Sequence, residues 1–178
     1  MYRKLKNCEL SRLTKEEFKL TKKVPVVLVL DNVRSQHNIG AAFRTADAFS
    51  LEKVVLCGIC ATPPSPEIHK SALGAEESVD WVYKEDCLSA VMHLKEQGYK
   101  VISVEQTENS TMLNSAIIEG NGKYALVFGN EVKGVQQEVA DISDTVVEIP
   151  QFGTKHSLNV SVSVGIVVWE FVKTIKSL

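Results

Sequence analysis

The sequence predicts an α/β domain built on a parallel sheet with helices on both faces, and three observations carry that expectation. Its Val-rich runs, 24–33 and 123–130 foremost, show no polar alternation, as strands buried on both faces require. These runs alternate along the chain with amphipathic segments of helical period. Finally, 178 residues with 44% hydrophobic and 24% charged side chains suffice for a sizeable core in a single domain, 1–178.

The elements follow in order. A short extension, 1–23, precedes the first strand, and within it "LTKEEFKL" sets Thr14 three residues before Glu17, the spacing of a helix capping box. "VPVVLVLDNV" (24–33) is the first strand. In "NIGAAFRTADAF", Ile39, Ala42, Phe43, Ala46 and Phe49 recur at helical spacing, Asn38 stands where it can cap the helix, and Gly40 permits close backbone approach. "EKVVLCG" is a second strand, and three prolines in 62–66 mark a loop. "KEDCLSAVMHLKEQG" is an amphipathic helix closed by Gly98. "KVISVEQ" and "KYALVFGN" are further strands, separated by a loop and a short helix around 111–118. "VQQEVADIS" is a helix and "TVVEIP" a strand.

The last stretch, "HSLNVSVSVGIVVWEF", reads two ways. Ser161, Ser163 and Gly165 alternate with valines as in a half-buried strand. Yet Val160, Val164, Val167, Val168, Phe171 and Ile175 form one helical stripe, suited equally to core packing and to a dimer face.

Bulk properties narrow the class. A formal net charge of −2 gives no global field for nucleic acid, although a local basic patch is still compatible with RNA. No run reaches the roughly 18 apolar residues of a membrane span, and "MYRKLKNCELSRLTKEEFK" is too polar for a signal peptide. Four cysteines in such a chain suit a reducing compartment, so the expectation is a cytoplasmic protein without membrane attachment. Cys57-Gly-Ile-Cys60 lacks the second ligand pair that zinc wants, with His69 the nearest extra donor; it reads as two small apolar thiols and no metal is expected.

In open parallel sheets, ligands bind beyond the carboxyl ends of the strands, which points to 31–38, 105–107, 129–134 and 150–159. Three stretches there carry chemistry. In "DNVRSQHNIGAAFRTADAF", Arg44 interrupts an apolar helix; alone it reads as a surface arginine paired with Asp47. In "LVFGNEVKGV", a strand ends in Gly129-Asn130-Glu131 without the glycine pattern of a phosphate loop or dinucleotide fold, so alone it reads as a tight turn. In "IPQFGTKHSLNVSVSVG", Ser157 and Asn159 alone read as helix caps.

Together and in this order, Asn38-x-Gly40…Arg44, Phe128-Gly129-Asn130-Glu131…Gly134 and Ile149-Pro150…Ser157-Leu158-Asn159-Val160 resemble the three signature motifs of the SpoU (TrmH-like) branch of the SPOUT RNA methyltransferases, across about residues 24–172. "IPQ-x-G-x-K-x-SLNV" and Trp169-Glu170 are most similar to members that methylate a guanosine ribose in tRNA. The resemblance implies a C-terminal trefoil knot, an exception to the rule against knots. It also implies a homodimer, S-adenosylmethionine as methyl donor, and a ribose 2′-hydroxyl of tRNA or rRNA as acceptor.

Carried over by motif, Val104, Glu105, Gln106, Phe128, Gly129, Ile149, Gln151 and Leu158 would hold the donor, chiefly by backbone, and Asn38, Arg44, Glu131, Ser157 and Asn159 would surround the methyl group and target ribose. The third motif turns the last stretch into a cofactor loop followed by a helix over 159–175. His156 varies among relatives and is given no catalytic role. The rival from another class is a non-catalytic RNA-binding or assembly protein that keeps the fold. A flavodoxin-like binder is disfavoured because the strand-end loops lack a phosphate-cradling run.

Overall fold

The computed structural model describes residues 2–178. Among these residues there are seven strands: β1 (Val24–Asp31), β2 (Leu51–Cys57), β3 (Trp81–Lys84), β4 (Lys100–Val104), β5 (Thr111–Met112), β6 (Tyr124–Phe128) and β7 (Thr145–Glu148). They form one sheet in the order β3-β2-β1-β6-β4-β7-β5, every pairing parallel. Seven helices accompany them: α1 (Lys15–Leu20), α2 (Gln36–Ala48), α3 (Pro66–Ala72), α4 (Ala75–Ser78), α5 (Cys87–Glu96), α6 (Gln137–Ile142) and α7 (Val160–Ile175).

Period-2 geometry divides the apolar residues of β1 between two layers. Val26, Leu28 and Leu30 pack with Ile39, Phe43, Val167 and Phe171, the layer of α2 and α7. Val27 and Val29 face the other way, onto Val91 and Leu94 of α5 and Val139 of α6. Helices thus cover both faces, which is why the strands read as unbroken apolar runs.

The stripe on α7 belongs to this core. Val164, Val167, Val168 and Phe171 are buried, and the Phe171 ring meets Tyr124 edge-on with centroids 4.9 Å apart. A different face of α7 carries Val162, Ile166 and Trp169, 49%, 38% and 47% exposed. Asn159 caps the helix, its Oδ1 accepting from the Ser161 amide at 2.8 Å.

Several expectations need correction. Asn38 does not cap α2; Ser35 does, accepting from the Asn38 amide at 3.3 Å, and Asn38 lies buried in the first turn. No α-helix forms at 111–118, where β5 adds two residues to the sheet edge and Leu113–Ser115 makes a 3-10 turn. The proline-rich loop ends at Ser65, which caps α3, so Pro66 opens that helix, where proline's missing N–H costs nothing. Strand β3 and helices α3 and α4 were not anticipated, and β1 stops at Asp31 rather than at residue 33.

Gly40 does permit close approach: a Cβ there would collide with the Ile68 carbonyl and the Ser71 hydroxyl of α3. Cys57 and Cys60 are buried; the Cys60 thiol donates to the Leu30 carbonyl at 3.3 Å, and burial pushes it up to about 12. The Asp31 carboxylate is buried at the end of β1 and accepts from the Gln136 amide at 2.8 Å and its side chain at 2.6 Å, tying the sheet to the loop before α6. Among the described residues no helix is long and apolar enough to cross a membrane.

Candidate active site

The parallel register sets Val104 of β4 beside both Phe128 of β6 and Val147 of β7, so three strands end level. Beyond these ends the chain leaves the sheet as three loops, and with the start of α7 they enclose a cavity of about 470 Å³. Val104, Glu105, Gln106, Phe128, Gly129, Ile149, Gln151 and Leu158 all line it, as do Glu131, Ser157 and Asn159.

The walls are tightly specified. A Cβ on Gly129 would strike the Gly134 carbonyl and the Val135 amide, while Gly134 sits at φ +70° against the Glu105 carboxylate. Asn130 and Gly134 bridge through backbone bonds of 3.0 and 2.8 Å. The Asn130 side chain closes the turn, accepting from the Val132 and Lys133 amides at 2.9 and 3.1 Å and donating to the Asn32 carbonyl at 2.7 Å. Glu105 Oε2 accepts from the Val135 amide at 3.0 Å, joining the β4 loop to the β6 loop. Glu148 Oε2 accepts from the Ser110 hydroxyl at 2.8 Å.

Glu131 links the first and second motifs. Its carboxylate accepts from the amides of Arg34 and Ser35 and from Asn38 Nδ2, each at 3.0 Å. Burial pushes its pKa up, but these bonds to the ionised form outweigh burial and hold it below the usual carboxylate value. A carboxylate so engaged is suited to fixing the 34–38 turn rather than to taking a proton.

Arg44 stands apart from the other four. It is exposed on α2 and forms no ion pair with Asp47, the partner that spacing offered. It lines a second groove, which reaches Gly165 of α7. Asn38 touches Glu131 without lining the cavity itself. His156 is exposed.

Asn130, Lys133, Gly134, Glu148 and Ser163 line the cavity and were missed as site residues. Ser163 had a legible signal, lying four residues after Asn159 and so on the same helical face. Gly134 stands in the second motif, and its place beside Gly129 follows from the backbone approach that only a residue without a Cβ at 129 allows.

A parallel α/β domain with a ligand-sized cavity beyond its strand ends, walled by glycine-bearing loops and carboxylates, is of the class that binds a small-molecule substrate or cofactor there. Residues 25–169 match the SpoU rRNA Methylase family, and the chain belongs to it. It is 33% identical over 146 residues to the 23S rRNA (guanosine-2'-O-)-methyltransferase RlmB of Neisseria meningitidis serogroup B, an alignment covering 82% of this chain and 57% of that protein. The chain therefore spans a little over half the length of the curated relatives it matches.

Among solved structures, the A. aeolicus TrmH/SpoU tRNA modifying enzyme superposes with a TM-score of 0.81 at 23% identity, covering 92% of this chain and 83% of that one. The AdoMet-bound rRNA methyltransferase from Sinorhizobium meliloti gives 0.76 at 24% identity, covering 88% and 59%. At these identities the two structures speak for the fold.

Proposed function

We propose that the chain is an S-adenosylmethionine-dependent RNA methyltransferase that transfers a methyl group to a ribose 2′-hydroxyl. A guanosine of ribosomal RNA is the first candidate and tRNA the second. The observation that carries the reading is the convergence of all three signature motifs: two line one cavity, and the first is bonded to it through Asn38 and Glu131. The RlmB relatives, named for guanosine-2'-O-methylation of 23S rRNA, favour the ribosomal target over the tRNA target that the third motif and Trp169-Glu170 indicated.

The residues present fit the donor. Val104, Phe128, Ile149 and Leu158 offer apolar wall for an adenine, and the close approach of Gly129 to Gly134 exposes backbone where side chains would fill the space. Glu105, Glu131 and Glu148 lend the cavity negative potential suited to a sulfonium. When bound, the donor supplies a methyl group on a good leaving group. What remains for the chain is to align the 2′-oxygen, exclude water and ease the loss of the hydroxyl proton.

Ser157 and Asn159 line the cavity at the mouth of α7 and are assigned to orienting the ribose, with Asn38 and Glu131 holding the facing turn. A guanidinium stays protonated in proteins, so Arg44 is assigned to a phosphate beside the target and to the developing alkoxide rather than to base catalysis.

Homodimerisation belongs to the same reading. Val162, Ile166 and Trp169 leave an apolar face of α7 uncovered, and Arg44 lies outside the cavity of its own chain, so a second copy seated on α7 accounts for both. The knotted threading of the C-terminal segment, and a single methyltransferase domain over the chain, rest on the family resemblance.

Calorimetry with S-adenosylmethionine is the first test, with binding expected; its absence leaves the non-catalytic RNA-binding reading. Tritiated donor and total RNA then supply the second, with label expected in a ribose. Label in a base, in protein or nowhere contradicts the assignment.

A further inference from the structure

His69 is the extra donor that sequence set nearest to Cys57 and Cys60, but in the fold its ring meets two carboxylates instead. Leu73 and Gly74 take left-handed conformations, φ 55° and 90°, and turn the chain between α3 and α4. Glu76 and Glu77 of α4 are thereby brought to the last turn of α3, where His69 stands. His69 Nδ1 and Glu76 Oε1 are 2.5 Å apart. Each of His69, Glu76 and Glu77 offers a ligand atom within 4.8 Å of the other two, the one such group of three among the described residues. None of them lines the cavity beyond the strand ends.

Glu76 is the telling member. Its side chain is only 7% exposed, and its second oxygen, Oε2, is buried with no hydrogen-bond partner. A buried carboxylate oxygen without a donor carries the cost of its lost hydration. Placing the Glu77 carboxylate beside it raises that cost unless a cation is shared between them. Lys15 of α1 pairs with Glu77, but both side chains are about half exposed and screened, so Glu77 can exchange this partner for a stronger one.

We propose that His69, Glu76 and Glu77 hold a divalent transition cation of the zinc type, with water completing its coordination, and that the ion clamps α3 to α4. The donor set selects the ion. An imidazole nitrogen beside carboxylate oxygens suits zinc and its first-row neighbours, whereas magnesium and calcium take oxygen ligands. An ion that takes both oxygens of Glu76 also satisfies the one left without a partner. The site lies outside the methyl-transfer machinery, so its occupancy should leave affinity for S-adenosylmethionine unchanged.

The test titrates zinc chloride into the untagged chain after treatment with a chelator and desalting, by calorimetry and by thermal melting. The variants are His69→Asn and Glu76→Gln. His93→Asn is the control, an exposed histidine with Glu96 three residues on and no buried carboxylate. Wild type and His93→Asn are expected to bind one zinc ion per chain and to melt at higher temperature with it, since only the folded corner presents the ligands. His69→Asn and Glu76→Gln should each weaken binding by at least about tenfold, the loss that even an outer partner of a metal ligand brings. Because His69 is exposed, His69→Asn keeps the test sound if Glu76→Gln fails to fold. Cobalt(II) in place of zinc should show visible d–d bands without an intense thiolate band, which separates this site from the exposed Cys8.

Zinc affinity in His69→Asn equal to that of wild type overturns the proposal. So does a thiolate band, which moves the ion to cysteine. Absence of zinc binding by wild type overturns it as well, and leaves His69 and Glu76 a plain ion pair.

Discussion

Asn38 donates its side-chain amide to Glu131 at 3.0 Å, joining residues 93 positions apart in sequence. The contact makes the first and second motifs one unit, and it assigns both residues to positioning the turn at 34–38. Asn38→Ala is expected to preserve the fold while loosening that turn. Methyl transfer should fall by one to two orders of magnitude, in line with misplaced catalytic geometry, and donor affinity should change little. Equal losses in donor binding and turnover would contradict the separation.

The same carboxylate sets a pH dependence. Its folded pKa is depressed, so its contribution to stability is present above the unfolded value of about 4.3 and is lost as pH falls through the folded value. Thermal melts should show wild type losing stability below pH 4.3 more steeply than Glu131→Gln. Because the group is partly exposed, the substitution at neutral pH should cost only about 1 kcal/mol.

Gly40→Ala sets two effects against each other. Alanine gains about 1 kcal/mol in helix propensity, but its Cβ must displace the Ile68 carbonyl, which belongs to the backbone of α3. Overpacking of this kind costs about 1–3 kcal/mol, so a net loss is expected, read as a melting temperature lower by a few degrees. Gly165→Ala has open space around its Cβ and should stabilise an isolated chain by about 0.5–1 kcal/mol. If the variant instead shifts the chain toward monomer in sedimentation, Gly165 lies against a second copy.

Phe171 packs edge-on against Tyr124 and is 1% exposed. Truncation to alanine opens a cavity between α7 and the sheet, at a cost of about 3–5 kcal/mol. Chemical denaturation measures it. A cost below about 1 kcal/mol would mean that α7 does not anchor here.

Thiol titration checks the reading of Cys57 and Cys60. Cys8 is exposed and the other three cysteines are buried, so one thiol per native chain should react quickly and four after unfolding. Burial has pushed the Cys60 thiol up to about 12, leaving almost no thiolate near neutrality.

The central strands and long helices were legible because burial on both faces leaves an unmistakable apolar record, as in β1 and β6. The sheet edges were not. Three of the four residues of β3 are exposed, and β5 has two residues, so neither carries a hydrophobic period. Helix caps were ambiguous where two candidates stood close: Ser35 and Asn38 are both good caps, and only the long-range bond to Glu131 separates them. Phe128, Gly129, Glu131, Ile149, Ser157, Leu158 and Asn159 of the cavity stand in the ordered motifs, whereas Glu148 and Ser163 stand in none of them. The second groove was not legible, because the residues that assemble it lie on α2, α3 and α7, and no sequence period connects them.

The order of the strands also bears on how the chain is made. β1 at the heart of the sheet pairs with β6, whose first residue lies a hundred positions later, at Tyr124. Until a ribosome has released that segment, one side of a nearly all-apolar strand has no neighbour, and unpaired strand edges invite other chains. Nascent chains stopped short of residue 124 should therefore be bound by chaperones or aggregate, and chains extended past β7 should escape, a contrast that arrest at successive lengths can measure. The topology that assembles the cavity makes the protein's synthesis its most vulnerable moment.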